Sequence, residues 1–156
     1  RCMIMNPELI IADEPISALD VSIRAQVLNL IKEFREERGL TVLFIAHDLS
    51  VVKYISDRIA VIYQGRLVEL CPADRLFEVP LHPYTKSLLS AIPLPDPAIE
   101  KNKVSFVYDP SVHNYTSDDP ADFYEVEKHH YVRCNLKELK KYKEIIASLK
   151  EGAKHE

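Results

Sequence analysis

The chain has 156 residues, with 20 Lys+Arg against 24 Asp+Glu and a formal net charge of -4, a balance that argues against a nucleic-acid grip led by phosphate contacts. Apolar residues make up 47% and charged residues 28%; at this length a globular chain buries roughly two-thirds of its unfolded surface, which excludes disorder throughout. Only three glycines are present, Gly39, Gly65 and Gly152, so no glycine-rich phosphate loop can be built, and no charge-free run exceeds nine residues where a membrane-spanning helix needs about 20.

No basic region followed by an apolar run opens the chain, so no secretory signal is read, and a first residue of Arg1 looks like an internal cut. Leu9 to Ala12 is a short apolar run rich in isoleucine, the pattern of a strand buried on both faces of a parallel sheet. From Val21 to Arg38 the residues Val27, Leu28, Ile31 and Phe34 recur at helical spacing, with Asp20 suited to the N-cap and Gly39 to a left-handed stop. Leu40 to Ala46 is a second apolar, β-branched run, hence another buried strand. Strand, helix and strand make a βαβ unit, which brings Asp13, Glu14 and His47 to the carboxyl edge of the sheet, where open α/β sheets bind ligands.

A short helix from Leu49 to Ile55 follows, then strands Arg58 to Tyr63 and Arg66 to Leu70 around a Gln64-Gly65 hairpin, a pair expected to close the sheet. Pro72 and Pro83 each sit where a proline starts a helix, the first running to Val79 and the second to Ile92. Pro93, Pro95 and Pro97 mark a boundary. Between Lys103 and Lys128 lie six acids, no Lys or Arg, and no clean period. From Leu136 the positions Leu139, Tyr142, Ile145, Ile146 and Leu149 share one face of a terminal amphipathic helix whose partner the sequence does not name. Three regions result: 1–71, 72–97 and an acidic tail, 98–156. Cys2, Cys71 and Cys134 are odd in number and form no Cys-x-x-Cys pair, so they read as reduced cytosolic thiols.

An apolar strand ending in Asp-Glu supplies what phosphoanhydride hydrolysis needs: Asp13 to hold Mg²⁺, usually through water, and Glu14 to orient the attacking water. Alone, such a pair is more often a loop or a helix cap. The run Leu9 to Asp20, with Asp13-Glu14-Pro15 and Ser17-Ala18-Leu19-Asp20, followed by Ile45-Ala46-His47-Asp48, resembles the ATP-binding subunits of ABC transporters. The resemblance implies a fold: the carboxyl-terminal part of an α/β P-loop NTPase domain with parallel strands, plus a helical extension and tail. It also implies site roles, with Asp13 as the magnesium ligand, Glu14 as the catalytic base, Ser17 to Asp20 as the nucleotide-contacting D-loop, and His47 as the histidine that senses the γ-phosphate.

Tyr63-Gln64-Gly65-Arg66-Leu67-Val68-Glu69 and His82-Pro83-Tyr84-Thr85-Lys86 through Pro93 narrow the resemblance to importers of oligopeptides and dipeptides. Such a subunit uses ATP and Mg²⁺. Its expected partners are a homologous ATPase in a head-to-tail dimer, two permease subunits and, indirectly, an extracytoplasmic peptide-binding protein, with no nucleic acid. Its expected place is the cytoplasmic face of the membrane, bound peripherally. Relatives carry tail cysteines suited to an iron-sulfur cluster, but one thiolate, Cys134, cannot hold one. His82 is read as capping or packing on the helix after it, and His129 and His130, on a charged stretch, as solvated.

The family's phosphate loop and signature motif have no counterpart in these residues. The chain by itself is therefore expected to bind Mg-ATP weakly, to show no turnover, and to expose apolar edges on Leu9 to Ala12 and Leu40 to Ala46. The alternative is an inactive remnant or interaction module that docks on an intact ATPase through the helix from Leu136 to Leu149.

Overall fold

Residues 7–92 and 107–152 are described by a computed structural model, in which the chain divides into two units, Arg1–Ser56 and Asp57–Glu156. The proline boundary at Pro93, Pro95 and Pro97 lies outside the described residues. The first unit is the βαβ unit read from the sequence, in the order β1 (Leu9–Asp13), α1 (Val21–Arg38), β2 (Thr41–Ile45) and α2 (Leu49–Ile55). The strands pair in parallel from Leu9 opposite Thr41 to Asp13 opposite Ile45. Gly39, at φ 62°, takes the left-handed stop of α1 and returns its N–H to the Arg35 carbonyl. Asp20 holds the N-cap position with extended backbone, but its side chain makes no capping hydrogen bond.

One face of the two-stranded sheet, Ile10, Ala12, Val42 and Phe44, is half-buried. Ile16, Leu28 and Ile55 form the small buried core of this unit, with Val27, Ile31, Phe44 and Val51 packed around it. The other face carries Leu9, Ile11, Leu43 and Ile45 at 45–64% exposure. Burial on both faces is therefore not realised in the described residues.

The second unit corrects the expectation that the Gln64-Gly65 hairpin closes the first sheet. Strands β3 (Arg58–Tyr63) and β4 (Arg66–Pro72) belong instead to a four-stranded antiparallel sheet ordered β3-β4-β6-β5, completed by β5 (Asp122–Glu127) and β6 (His130–Cys134). Between them come α3 (Ala73–Glu78), α4 (Pro83–Ser90) and a 3-10 turn at Pro110–Val112, and α5 (Leu136–Gly152) follows β6. Gln64 and Gly65 both have positive φ, 46° and 73°, the backbone a two-residue hairpin turn requires. The stretch without a clean period thus supplies β5, and α5 finds its partner in its own chain: Tyr142 and Ile146 are buried with Leu81, Val126, Val132 and Cys134, and Leu139 and Ile145 pack beside them. Leu136 and Leu149 stay exposed. Cys71 and Cys134 are buried free thiols.

A buried carboxylate joins three segments of this unit. Glu69 on β4 accepts the backbone N–H groups of Leu81 (2.9 Å) and His82 (3.0 Å) and the Nε2–H of His130 on β6 (2.8 Å). Both Glu69 and His130 are fully buried, so the reading of His130 as solvated is corrected: it is enclosed in the fold, with Nε2 held by a carboxylate. His129 next to it is exposed and takes the left-handed turn position at φ 64°. His82 caps α4 as expected, its Nδ1 accepting the Tyr84 N–H at 3.1 Å, and its ring stacks on His113 with centroids 5.0 Å apart.

Burial, then the neighbouring His113, push the His82 imidazole from 6.5 down to about 4, Arg133 adding to the depression and Glu69 and Glu138 opposing it. Burial raises the Glu138 carboxyl, but the hydrogen bond and charge of His113, the Asn135 N–H and Tyr115 outweigh it and hold the group below its ordinary value. As pH falls, the unfolded chain protonates both groups before the folded chain does, so both contributions are full at neutral pH and are lost on acidification. This unit is expected to lose about 2–3 kcal/mol between about pH 7 and about pH 4.5. Urea midpoints at the two pH values measure it, and His82→Asn, which keeps a side-chain acceptor for the Tyr84 N–H, should flatten the dependence.

Candidate active site

Parallel pairing of β1 and β2 sets the residues just past each strand side by side. Glu14 N–H donates to the Ile45 carbonyl at 2.9 Å, which continues the strand register by one residue and holds Glu14 against the end of β2. The residue lies between Asp13 and Pro15 with φ 43°, a left-handed backbone that costs a side-chain-bearing residue about 1–2 kcal/mol. Its carbonyl then accepts the Ser17 N–H (3.3 Å) and the Ser17 hydroxyl (3.0 Å), closing the turn that leads into α1.

Across the strand ends, His47 Nδ1 donates to Glu14 Oε1 at 3.1 Å. The side chains are 75% and 50% exposed, so the contact is solvent-screened and adds little stability. Donation from Nδ1 corresponds to the tautomer in which Nε2 of the neutral ring is an acceptor. Glu14, Ser17 and His47 line one shallow depression with Ile16, Arg24 and Asp48, enclosing about 30 Å³, far below the ~300 Å³ at which a small-molecule cleft begins.

The structure therefore brings Glu14, Ser17 and His47 together and leaves Asp13 and Asp20 at the margin. Asp13 is an exposed carboxylate at the last position of β1. Asp20 is exposed, and its carbonyl, not its side chain, receives Ile23 N–H (3.0 Å) and Arg24 N–H (2.9 Å). Two residues of the depression, Arg24 and Asp48, were given no role in the sequence reading. Arg24 Nε donates to the Leu19 carbonyl at 2.7 Å and ties the loop to α1. Asp48 accepts Ser50 N–H (2.9 Å) and Val51 N–H (3.4 Å) and caps α2; its signal was an aspartate immediately before a helical run.

No described helix is long and apolar enough to cross a membrane. Residues 68–138 match the family described as oligopeptide/dipeptide transporter, C-terminal region. Among curated proteins the chain is similar to the oligopeptide transport ATP-binding protein OppF of Bacillus subtilis, with 64% identity over 142 residues, 91% of this chain and 47% of that protein. It is 60% identical over 142 residues to the oligopeptide transport ATP-binding protein AmiF of Streptococcus pneumoniae, covering 91% of this chain and 46% of the relative. With the OppF protein of Streptococcus pyogenes serotype M1 the identity is 58% over 146 residues, 94% and 47% of the two chains. The chain spans about half the length of the curated relatives it matches.

Proposed function

We propose, the chain belonging with the ATP-binding proteins of oligopeptide transporters, that it forms part of an ATP-hydrolysing subunit that powers oligopeptide uptake. The observation that carries the reading is the Glu14–His47 contact of 3.1 Å at the carboxyl end of two parallel strands. It pairs a candidate base with an imidazole at the sheet edge where α/β folds hold ligands. The assembly is then a P-loop ATPase of the ABC type, working head-to-tail with a homologous ATPase, two permease subunits and an external peptide-binding protein, peripherally at the cytoplasmic face of the membrane. The relatives are of the F type by name, and the same assignment is proposed here.

In this reading Glu14 takes a proton from the attacking water, and its partial exposure leaves room for that water beside Oε2. His47 orients Glu14 through Nδ1–H in the nucleotide-free site; donation to a phosphate oxygen is assigned to the tautomer in which Nε2 carries the ring proton, which releases Glu14 to the attacking water. Asp13, an exposed hard oxygen donor, suits a Mg²⁺ ion that keeps most of its own waters. Bound there, the metal would neutralise charge on the transferred phosphoryl group. Ser17 and Asp20 flank the site on the loop into α1 and are assigned contacts to the nucleotide region. A depression of about 30 Å³ cannot enclose a nucleotide, and three glycines cannot make a phosphate loop, so the phosphate cradle is assigned to protein outside these 156 residues.

Uptake of a labelled oligopeptide in cells with and without the gene for this chain tests the proposal. Uptake should fall to background on deletion and return with the gene; full uptake in the deletion strain overturns the reading.

A further inference from the structure

The buried face of the four-stranded sheet places three metal-ligating residue types together, well apart in sequence from the residues assigned to ATP hydrolysis. Glu69 and Cys71 stand two apart on β4 and so share a face. Glu69 pairs with Val132 and Leu70 with Tyr131 on β6, and the same register carried one step further sets Cys71 opposite His130. All three residues are fully buried, and one ligand atom from each lies within 4.8 Å of the others. We propose that Glu69, Cys71 and His130 bind a divalent cation of the zinc class, held inside the fold between β4 and β6.

The donor set is carboxylate, thiolate and imidazole, the mixture that suits Zn²⁺ and not the all-oxygen preference of Mg²⁺ or Ca²⁺. A second observation, on the far side of the imidazole, points the same way. His130 Nδ1 is buried without a hydrogen-bond partner, although Glu127 Oε1 lies 3.5 Å away. While Nε2 carries the ring proton toward Glu69, Nδ1 presents a lone pair to that second carboxylate. A cation on Nε2 reverses this: the proton moves to Nδ1, which then donates to Glu127, the carboxylate–histidine–metal arrangement that fixes tautomer and ring orientation. Glu127 is already anchored for the role by Arg75 Nε at 2.6 Å and Lys150 Nζ at 3.3 Å.

Binding needs small movements. Glu69 Oε1 and His130 Nε2, 2.8 Å apart, spread to the ~3.3 Å separation of two ligand atoms in a tetrahedral zinc site, and the Cys71 sulfur closes in. Burial, then Glu69 and Glu127, raise the Cys71 thiol to about 12, so the thiol is protonated without the ion and gives up its proton on binding. Three protein ligands leave a fourth position for water. Because the ligands are enclosed, the ion enters before β6 has paired with β4 and leaves only when that pairing opens.

The test uses the chain purified from zinc-supplemented expression and passed through gel filtration in EDTA. A single tightly held Zn²⁺ per chain is expected, absent from Cys71→Ser; a metal-free wild-type chain with native circular dichroism overturns the proposal, as does equal retention by a folded Cys71→Ser variant. Loading Co²⁺ instead gives a readout that does not rely on that variant folding. The thiolate-to-cobalt absorption should appear in the wild type and persist in a folded Cys134→Ser, whose cysteine is the other buried thiol among the described residues. Its absence from the wild type, or its loss in Cys134→Ser, assigns the ion elsewhere and sinks the site.

Discussion

On the function proposed above, Glu14→Gln is expected to lower ATP turnover by about 10²- to 10⁴-fold in the assembled transporter, the range a positioned general base supplies. The substitution is chosen to separate chemistry from architecture. Glutamine has nearly the size of glutamate, and its carbonyl oxygen can accept the His47 Nδ1–H that Glu14 Oε1 now accepts at 3.1 Å. Glu14's backbone ties, its N–H on Ile45 and its carbonyl under Ser17, are untouched. Only basicity is removed, so nucleotide binding should persist while turnover and peptide uptake collapse together. His47→Ala should cost about 10²- to 10³-fold, since it deletes a donor to developing charge and also releases the Glu14 side chain. The measurement is steady-state phosphate release with the partner subunits in liposomes. Turnover within about threefold of wild type for Glu14→Gln would mean that the proton goes elsewhere, because a true base cannot lose so little.

The proximity of Glu14 and His47 was legible in the sequence because its signals are local. Asp13-Glu14 ends one apolar run, His47 ends the next, and an 18-residue amphipathic helix with Gly39 as its stop separates them; a parallel βαβ connection then fixes the neighbourhood. The second unit resisted reading for physical reasons that can be named. The β5–β6 turn is built on His129 in the left-handed region instead of glycine, so the usual hairpin signal is missing. A register shift between Glu125 and Glu127 breaks the alternation that would have marked β5. Pairing of β4 with β6 brings Glu69 to His130, 61 residues away, and nothing periodic in either segment records it. Charged residues also read as surface by default; Glu69 and His130 are buried because each supplies the other's partner, a pairing visible only in three dimensions. The same limit left α5 without a partner in the sequence reading, although its apolar stripe was plain.

Glu69→Ala is expected to destabilise the Asp57–Glu156 unit by about 3–5 kcal/mol, the cost of breaking a buried hydrogen-bonded charge network by removing one member. The loss is large because three donors are orphaned at once: the N–H groups of Leu81 and His82 and the Nε2–H of His130. Each unsatisfied buried group costs about 1–3 kcal/mol, and the cavity left behind is too enclosed for bulk water to compensate. Glu69→Gln should cost less but not nothing, because one carboxylate oxygen becomes an amide NH₂ that must face either the backbone donors or the imidazole proton. Urea titration of chain first unfolded and refolded in EDTA, so that an enclosed cation is released, isolates this structural role, with the tail strands reported by Tyr124 and Tyr131 and the α4 segment by Tyr84. The network predicts that loops and sheet loosen together, since Glu69 joins β4 to both the Leu81-His82 turn and β6. A loss below about 1 kcal/mol for Glu69→Ala would show that water or a rearranged His130 replaces the carboxylate, and that the turn before α4 is held by its packing alone.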